Sequence, residues 1–416
     1  MLRKVSFLLT VVLTLLMVAP VFAQEPEAAS QRVFLPVVAG GGLVADAQDE
    51  VNDEPNLTDT LDAVEASGSD AAGMVFVATN AMDPIRGNEI VMYRRDGNGQ
   101  LTVTGRFPSG GQGLGSGLGS QNSLLLSDNG QWLFAVNAGS NEISVFAVEK
   151  AGLILTDKVA SGGVRPTSLT VRKNVLYVLN AGDPGNITAF GLNKLGKLAA
   201  LANSTRFLSN NGSGAAPAPA QVSFTPDGRH LVVSERSSNL IDLYKIDKNG
   251  LATGPTSFNS SGVTPFGFAF GKDGTLIVSE AFGGAVNGSA VSSYRIQGDQ
   301  LQLLSGSVAT GQTAACWIIT SKDGRYGYST NAGSASLSGY RVENDGRITL
   351  LNGRAGDTGT GTGPTDAAVS HNGRWAYVLS PRSQTVVAFM MQADGSLVPA
   401  GSFGGLQTGP AGIAAW

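Results

Sequence analysis

Two apolar runs in the chain close on a carboxylate: "LVVSE" ends at Glu235 and "LIVSE" at Glu280. A carboxylate set where a strand meets a polar loop can take a proton from water as a general base. Arg236 follows Glu235, and Arg165 stands in "GVRPTS"; either guanidinium could stabilise an oxyanion beside such a base. Runs of the same form close on amides or a hydroxyl, at Asn80, Asn137, Asn180, Asn331 and Ser380. Gathered on one face, these groups would line a polar funnel for a hydroxylated ligand or a cation. A local role competes with this one, because Asn side chains often cap turn backbone, and that explains each Asn taken singly. For Glu235 and Glu280 both roles stay open.

The elements that must position these groups repeat along the chain. Each closing residue is followed by a polar loop and another strand-like run, as in "EISVFAV", "NITAFGL", "LIDLYKI", "AVSSYRI" and "SLSGYRV". Before it comes an opening run and an Asp-Gly or Asn-Gly turn, as in "AQVSFTPDGR" and "TDAAVSHNG". Four strands per unit and a spacing of roughly fifty residues are the mark of propeller blades. The second run occurs seven times, and the first copy starts at Met74 without its opening strand. The missing strand matches "GPAGIAAW" at residues 409–416. The expected fold is all-β: a seven-bladed β-propeller of four-stranded antiparallel blades. The C-terminal strand completes the first blade and removes the open sheet edges.

In such a blade the start of strand one and the end of strand two lie on the face opposite the Asp-Gly turn. The opening strands therefore add Asn122, Thr167, Gln221, Thr365 and Asp366 to that face. The candidate ligand-binding set is Asn122, Asn137, Asn180, Gln221, Glu280, Asn331, Asp366 and Arg165, with Glu235 and Arg236 as candidate catalytic residues. The two histidines, His230 and His371, belong to the turns on the other face, so neither can pair with Glu235. No HExxH or paired-Cys pattern appears, and neither a metal nor a cofactor is expected. The run "GGQGLGSGLGS" at residues 110–120 lacks a phosphate-loop ending and reads as an inter-blade loop, placed where it could cover the mouth.

The strand-turn-strand "SxDG(R/Q)(W/H/Y)xxxV(N/S)(A/E)" and its continuation "xISVFxV…GxL" resemble the lactonase-type propellers. These include bacterial 6-phosphogluconolactonase, fungal carboxymuconate lactonizing enzyme and noncatalytic YVTN-repeat proteins. The resemblance runs from about residue 73 to 416. It implies a site at one mouth of the central channel, built from a His, two Arg and a Glu. "VVSERSSN" places Glu235 at the carboxylate position. The matching positions for the others hold Asn122 for the His, Ala220 for the Arg of the family's "GPRH" segment (whose own His aligns with Gln221) and Ala332 for the further Arg. These replacements favour a propeller that binds a small polar ligand or an extracytoplasmic protein at its mouth, with most of the catalytic set missing. The alternative is an active lactone hydrolase or muconate-type lactonizing enzyme using Glu235 in a rearranged site.

Outside the repeats, Arg3 and Lys4 precede an apolar stretch to Val18, and Val21 and Ala23 fit the −3 and −1 positions of a cleavage site. Residues 1–23 read as a signal peptide, and the protein as secreted or periplasmic. Residues 24–72 read as an acidic linker or propeptide with a short apolar patch, and residues 73–416 as the propeller. A net charge of −4 leaves no electrostatic footprint for nucleic acid. No later stretch is apolar enough to span a membrane. Cys316, the only cysteine, cannot form an internal disulfide and reads as a buried hydrophobe. Nothing in the sequence fixes the oligomeric state, and a monomer is the expectation.

Overall fold

The computed structural model describes residues 73–416; the signal peptide at 1–23 and the linker at 24–72 lie outside the described residues. The described chain is seven antiparallel sheets, each with four strands in sequence order except the first and third. Blade 1 holds Gly73–Ala78, Glu89–Arg95 and Leu101–Pro108, and its innermost strand is Ile413–Ala415 from the far end of the chain. The closing register pairs Val75 with Ala415 and Val77 with Ile413, as the repeat pattern requires. Blade 3 carries its outer edge in two pieces, Leu198–Ala200 and Arg206–Phe207, both paired with Asn186–Leu192. Among the described residues no helix is long and apolar enough to cross a membrane.

Strand position in the blade sets burial. The second strand of blade 4, His230–Glu235, is buried along its whole length, because neighbouring blades cover both faces of every sheet. The outer strand Ala252–Asn259 is mostly exposed. Between blades 4 and 5 the core joins Val232, Ile241 and Leu243 to Phe268, Leu276, Val278 and Tyr294. Buried tyrosines tie one blade to the next through their hydroxyls, which must find partners when buried. Tyr177 Oη donates to the Gly250 carbonyl at 2.8 Å and Tyr328 Oη to that of Gly395 at 2.9 Å.

The turns between first and second strands repeat with little change. In blade 4, Thr225 Oγ1 bonds Asp227 Oδ1 at 2.6 Å, and Gly228 takes the positive φ of +72° that closes the turn. These turns define the lower face of the ring. The starts of the first strands and the ends of the second strands define the upper face, where the candidate residues were expected.

Candidate functional site at the upper mouth

The residues that close the second strands are folded into the blades. Asn137, Asn180, Glu235, Glu280 and Asn331 each have 0% exposure. Asn137 Oδ1 accepts from Asn88 Nδ2 at 3.0 Å and Ser109 Oγ at 2.7 Å. Asn180 Nδ2 donates to the Ser161 carbonyl and to Asn186 Oδ1. Asn331 Nδ2 donates to Ser336 and Ser338. Glu280 accepts from Ser292 Oγ at 2.5 Å, Gly262 N at 2.8 Å and Ser307 Oγ at 2.7 Å. These groups satisfy backbone and hydroxyls where one blade hands over to the next, a demand set by burial. They do not form the solvent-open polar ring expected from their shared face.

Glu235 follows the same rule. Its oxygens accept from Ser209 N at 3.0 Å, Ser209 Oγ at 2.5 Å and Ser238 Oγ at 2.5 Å. Ser209 belongs to the crossing from blade 3 to blade 4, so that loop seals the carboxylate. A further buried side chain, Asp242 on the third strand, shares the sheet face of Glu235, and that neighbour, after burial, raises its carboxyl. Sequence reading missed it. The available signal was its register: sister repeats carry Ser144, Thr188, Ser292 and Ser338 where blade 4 has Asp242.

Two glutamines lock the inner strands together. Gln221 Oε1 accepts from Phe268 N at 2.6 Å while its Nε2 donates to the Phe268 carbonyl at 2.9 Å, joining blade 4 to blade 5. Gln121 treats blade 6 the same way, accepting from Ile318 N at 3.1 Å and donating to the Ile318 carbonyl at 2.7 Å. Gln121 ends the glycine-rich loop, which therefore crosses the mouth as a tied strap. Along it Gly113 N donates to the Ala81 carbonyl at 2.7 Å and Gly115 N to that of Asn80 at 2.8 Å. On the far side Gln121 N reaches the Ala220 carbonyl at 3.0 Å. A Cβ at Gly113 would lie 2.1 Å from the Asn80 carbonyl carbon, so glycine is needed for that approach.

Under the strap lies an apolar cluster of Ala220, Phe266, Ala281, Cys316 and Trp317, with Ala332 packed against it. Ala220 and Ala332 stand where the resemblance placed arginines. Phe266 and Trp317 rings are 4.9 Å apart. The thiol of Cys316 is pushed up to about 12 by burial and is no nucleophile. Arg236 lies half-buried with its guanidinium 4.9 Å over the Phe266 ring, held by Nε donating to the Ala218 carbonyl at 3.0 Å. Burial lowers its pKa; Cys316 and Arg165 also act on it. Arg165 is exposed, with φ +55°, and donates to the Ala181 carbonyl at 3.0 Å. Among the described residues no carboxylate ion-pairs with Arg236 or Arg165.

Asn122 and Asp366 do come together. Asp366 is 3% exposed, and its Oδ1 accepts from Ala367 N at 2.9 Å. The backbone N–H groups of Asn122 and Ile413 also bear on the carboxyl, yet burial outweighs them and pushes it up to about 7. Its other oxygen has no partner.

The lower mouth is open, with a cavity of about 1190 Å³ whose walls include His230, Lys272, Lys322, His371 and Trp416. His230 Nε2 lies 2.9 Å from Asp299 Oδ1, and His371 stacks on Trp416 at 4.1 Å. Both histidines are thus engaged away from Glu235. No cluster of three His, Cys, Asp or Glu that could hold a metal occurs among the described residues.

With seven such blades and this upper mouth in view, known proteins give a consistent comparison. A family model described as "Lactonase, 7-bladed beta-propeller" matches residues 86–209 and 185–281. The chain is a lactonase-type β-propeller. A candidate 6-phosphogluconolactonase from Bacteroides fragilis superposes with a TM-score of 0.64 at 19% identity, over 87% of this chain and 100% of that one. The periplasmic gluconolactonase of Pseudomonas aeruginosa gives 0.63 at 20% identity, over 83% and 99%. Among curated proteins, the 6-phosphogluconolactonase of Enterobacter sp. (strain 638) is 29% identical over 101 residues. That match spans 24% of this lactonase-type chain and only 29% of the relative's own length. At these identities the structural likeness carries the fold and not the activity.

Proposed function

We propose that this lactonase-type propeller is an exported protein that binds a small carboxylated polyol at its upper mouth and does not hydrolyse lactones through Glu235. The observation that supports this most is Glu235 itself, fully buried with Ser209 and Ser238 on its oxygens. A general base must come within hydrogen-bond reach of the proton it takes. No substrate oxygen reaches this carboxylate unless the loop carrying Ser209 is displaced. Arg236 and Arg165 supply the attraction: neighbouring guanidiniums without a counter-ion favour an anion, and their fork suits a carboxylate. Gluconate-like compounds agree with the names of the relatives. The leader-like residues 1–23 support a secreted or periplasmic protein.

Calorimetric titration with gluconate tests the reading. Arg165→Ala removes an exposed side chain, so the fold should hold while affinity drops roughly tenfold, the loss of one charge-assisted hydrogen bond. An unchanged affinity would take the arginine pair out of the site. In parallel, a panel of sugar lactones is expected to show no turnover. Hydrolysis by the wild type that disappears in Glu235→Gln would overturn the proposal in favour of a lactone hydrolase.

A further inference from the structure

In three other blades the residue closing the second strand bonds to a hydroxyl on the third strand. Asn137 Nδ2 donates to Ser144 Oγ at 2.8 Å, Asn331 Nδ2 to Ser338 Oγ at 2.9 Å, and Ser292 Oγ donates to Glu280 Oε1 at 2.5 Å. Blade 4 puts Asp242 at this position. Its strand partner is Val233, so Asp242 shares a sheet face with Glu235. Both carboxyls have 0% exposure.

The donors divide unequally between them. Glu235 accepts from two serine hydroxyls and one backbone N–H. Asp242 Oδ1 accepts from Ser257 Oγ at 2.6 Å, whereas Oδ2 is buried without any donor. The two carboxyls nevertheless stand on one buried sheet face, in the positions whose side chains bond each other in the sister blades. Ionised carboxylates only accept and repel each other, so two of them packed together without a cation call for one proton between them. The full donor set on Glu235 marks it as the anion. The bare Oδ2 marks Asp242 as the acid, in the donor role that Ser292 has in blade 5.

We propose that Glu235 and Asp242 share a single proton, and that its loss at alkaline pH unlatches the loop at residues 208–218 from Glu235. Once the proton leaves to solvent, two anions face each other in a dry interior, and water must enter to solvate them. Ser209 is the group to displace, because it covers Glu235 from that loop. The loop's other end is coupled to the mouth: the Ala218 carbonyl accepts from Arg236 N at 3.2 Å and Nε at 3.0 Å.

The ionisable groups around Asp242 are Glu235 on the second strand and Tyr244 on its own strand; Ser257 and Ser209 face it from the fourth strand and the blade 3 crossing. No lysine or arginine acts on it. Burial first, and Glu235 second, push its carboxyl up to about 8. A carboxyl held above its unfolded value stabilises the fold at low pH, and that stability is lost as pH rises toward about 8. Opening is therefore expected on the alkaline side.

Hydrogen exchange over residues 208–218, normalised to the intrinsic exchange rate, is the test. Between about pH 6.5 and about pH 9.5, a window around the raised carboxyl, wild-type protection at Ser209 should fall by at least ~10-fold. Asp242→Asn should keep its protection, because the amide Nδ2 can donate to Glu235 at any pH while Oδ1 keeps Ser257. Equal protection of the wild type at both pH values, or a parallel loss in Asp242→Asn, overturns the proposal. With Asp366, the other raised carboxyl, removed as Asp366→Asn, an infrared carbonyl band of a protonated acid, present near about pH 7.5 and bleached by about pH 9.5, checks the proton while Glu235 and Asp242 stay intact. Its absence is equally decisive against the shared proton.

Discussion

Trp317 Nε1 donates to the Ser120 carbonyl at 2.7 Å, joining two residues 197 positions apart in sequence. One sits on the inner strand of blade 6 and the other near the end of the glycine-rich strap. With the Gln121–Ile318 pair beside it, this bond moors the strap across the upper mouth. Replacing Trp317 by Phe keeps most of the packing against Phe266 and removes only the donor. The expected cost is about 1 kcal/mol in denaturant unfolding, with faster hydrogen exchange confined to the strap. Unchanged exchange there would mean that Gln121 holds the strap without Trp317.

The strap also depends on its glycines. Gly113→Ala would drive a Cβ to 2.1 Å from the Asn80 carbonyl carbon and 2.2 Å from its oxygen. Backbone on both sides leaves little room to yield, and overpacking of this kind costs ~1–3 kcal/mol. Gly117, with nothing within 4 Å of an added Cβ, is the matched control and should tolerate Ala. Thermal melts of the two variants make the comparison.

Gln221 is expected to matter more than its resemblance-based position suggests. Gln221→Ala leaves the buried Phe268 N–H and carbonyl without their partners, a loss of about 2–4 kcal/mol. Gln221→His, which restores the residue type the resemblance gives to the enzymes, cannot make both bonds and should also destabilise. Urea midpoints at equal slope would measure both.

Asp366 sets a second pH dependence. Burial raises its carboxyl to about 7, so the folded state holds the proton more tightly than the unfolded chain does. Stability present at low pH is therefore lost as pH rises from the ordinary carboxyl range to about 7. Asp366→Asn should flatten that part of the stability–pH curve and leave the later fall from Asp242, which ends near about 8. Chemical denaturation at several pH values separates the two.

Repeat periodicity, Asp-Gly turns and the spare strand at residues 409–416 were enough to read seven blades and their closure. Those features are local, and each copy repeats the same strand alternation and turn chemistry. The upper-face placement of Glu235, Asn137 and the other closing residues was legible for the same reason. Their orientation was not. A polar residue that ends a strand looks alike in sequence whether it lines a channel or satisfies the next blade's backbone. Asp242 shows a different limit: its character comes from Glu235, and only a comparison among sister repeats sets it apart from Ser292.

The glycine-rich run makes the same division. Its composition already excluded a phosphate loop and placed a connector near the mouth. Only the folded ring brings Ser120 and Gln121 to blade 6, because that distance is closed by seven blades meeting around one axis. The sequence by itself determined the blades, their closure and the face on which each polar residue ends. Packing of blade against blade decided that Glu235 is sealed, that the Arg236 guanidinium lies over the Phe266 ring, and that Asp242 shares the sheet face of Glu235. Burial makes that decision, because a group removed from water must take its partners from neighbouring strands and loops, wherever those lie in the chain.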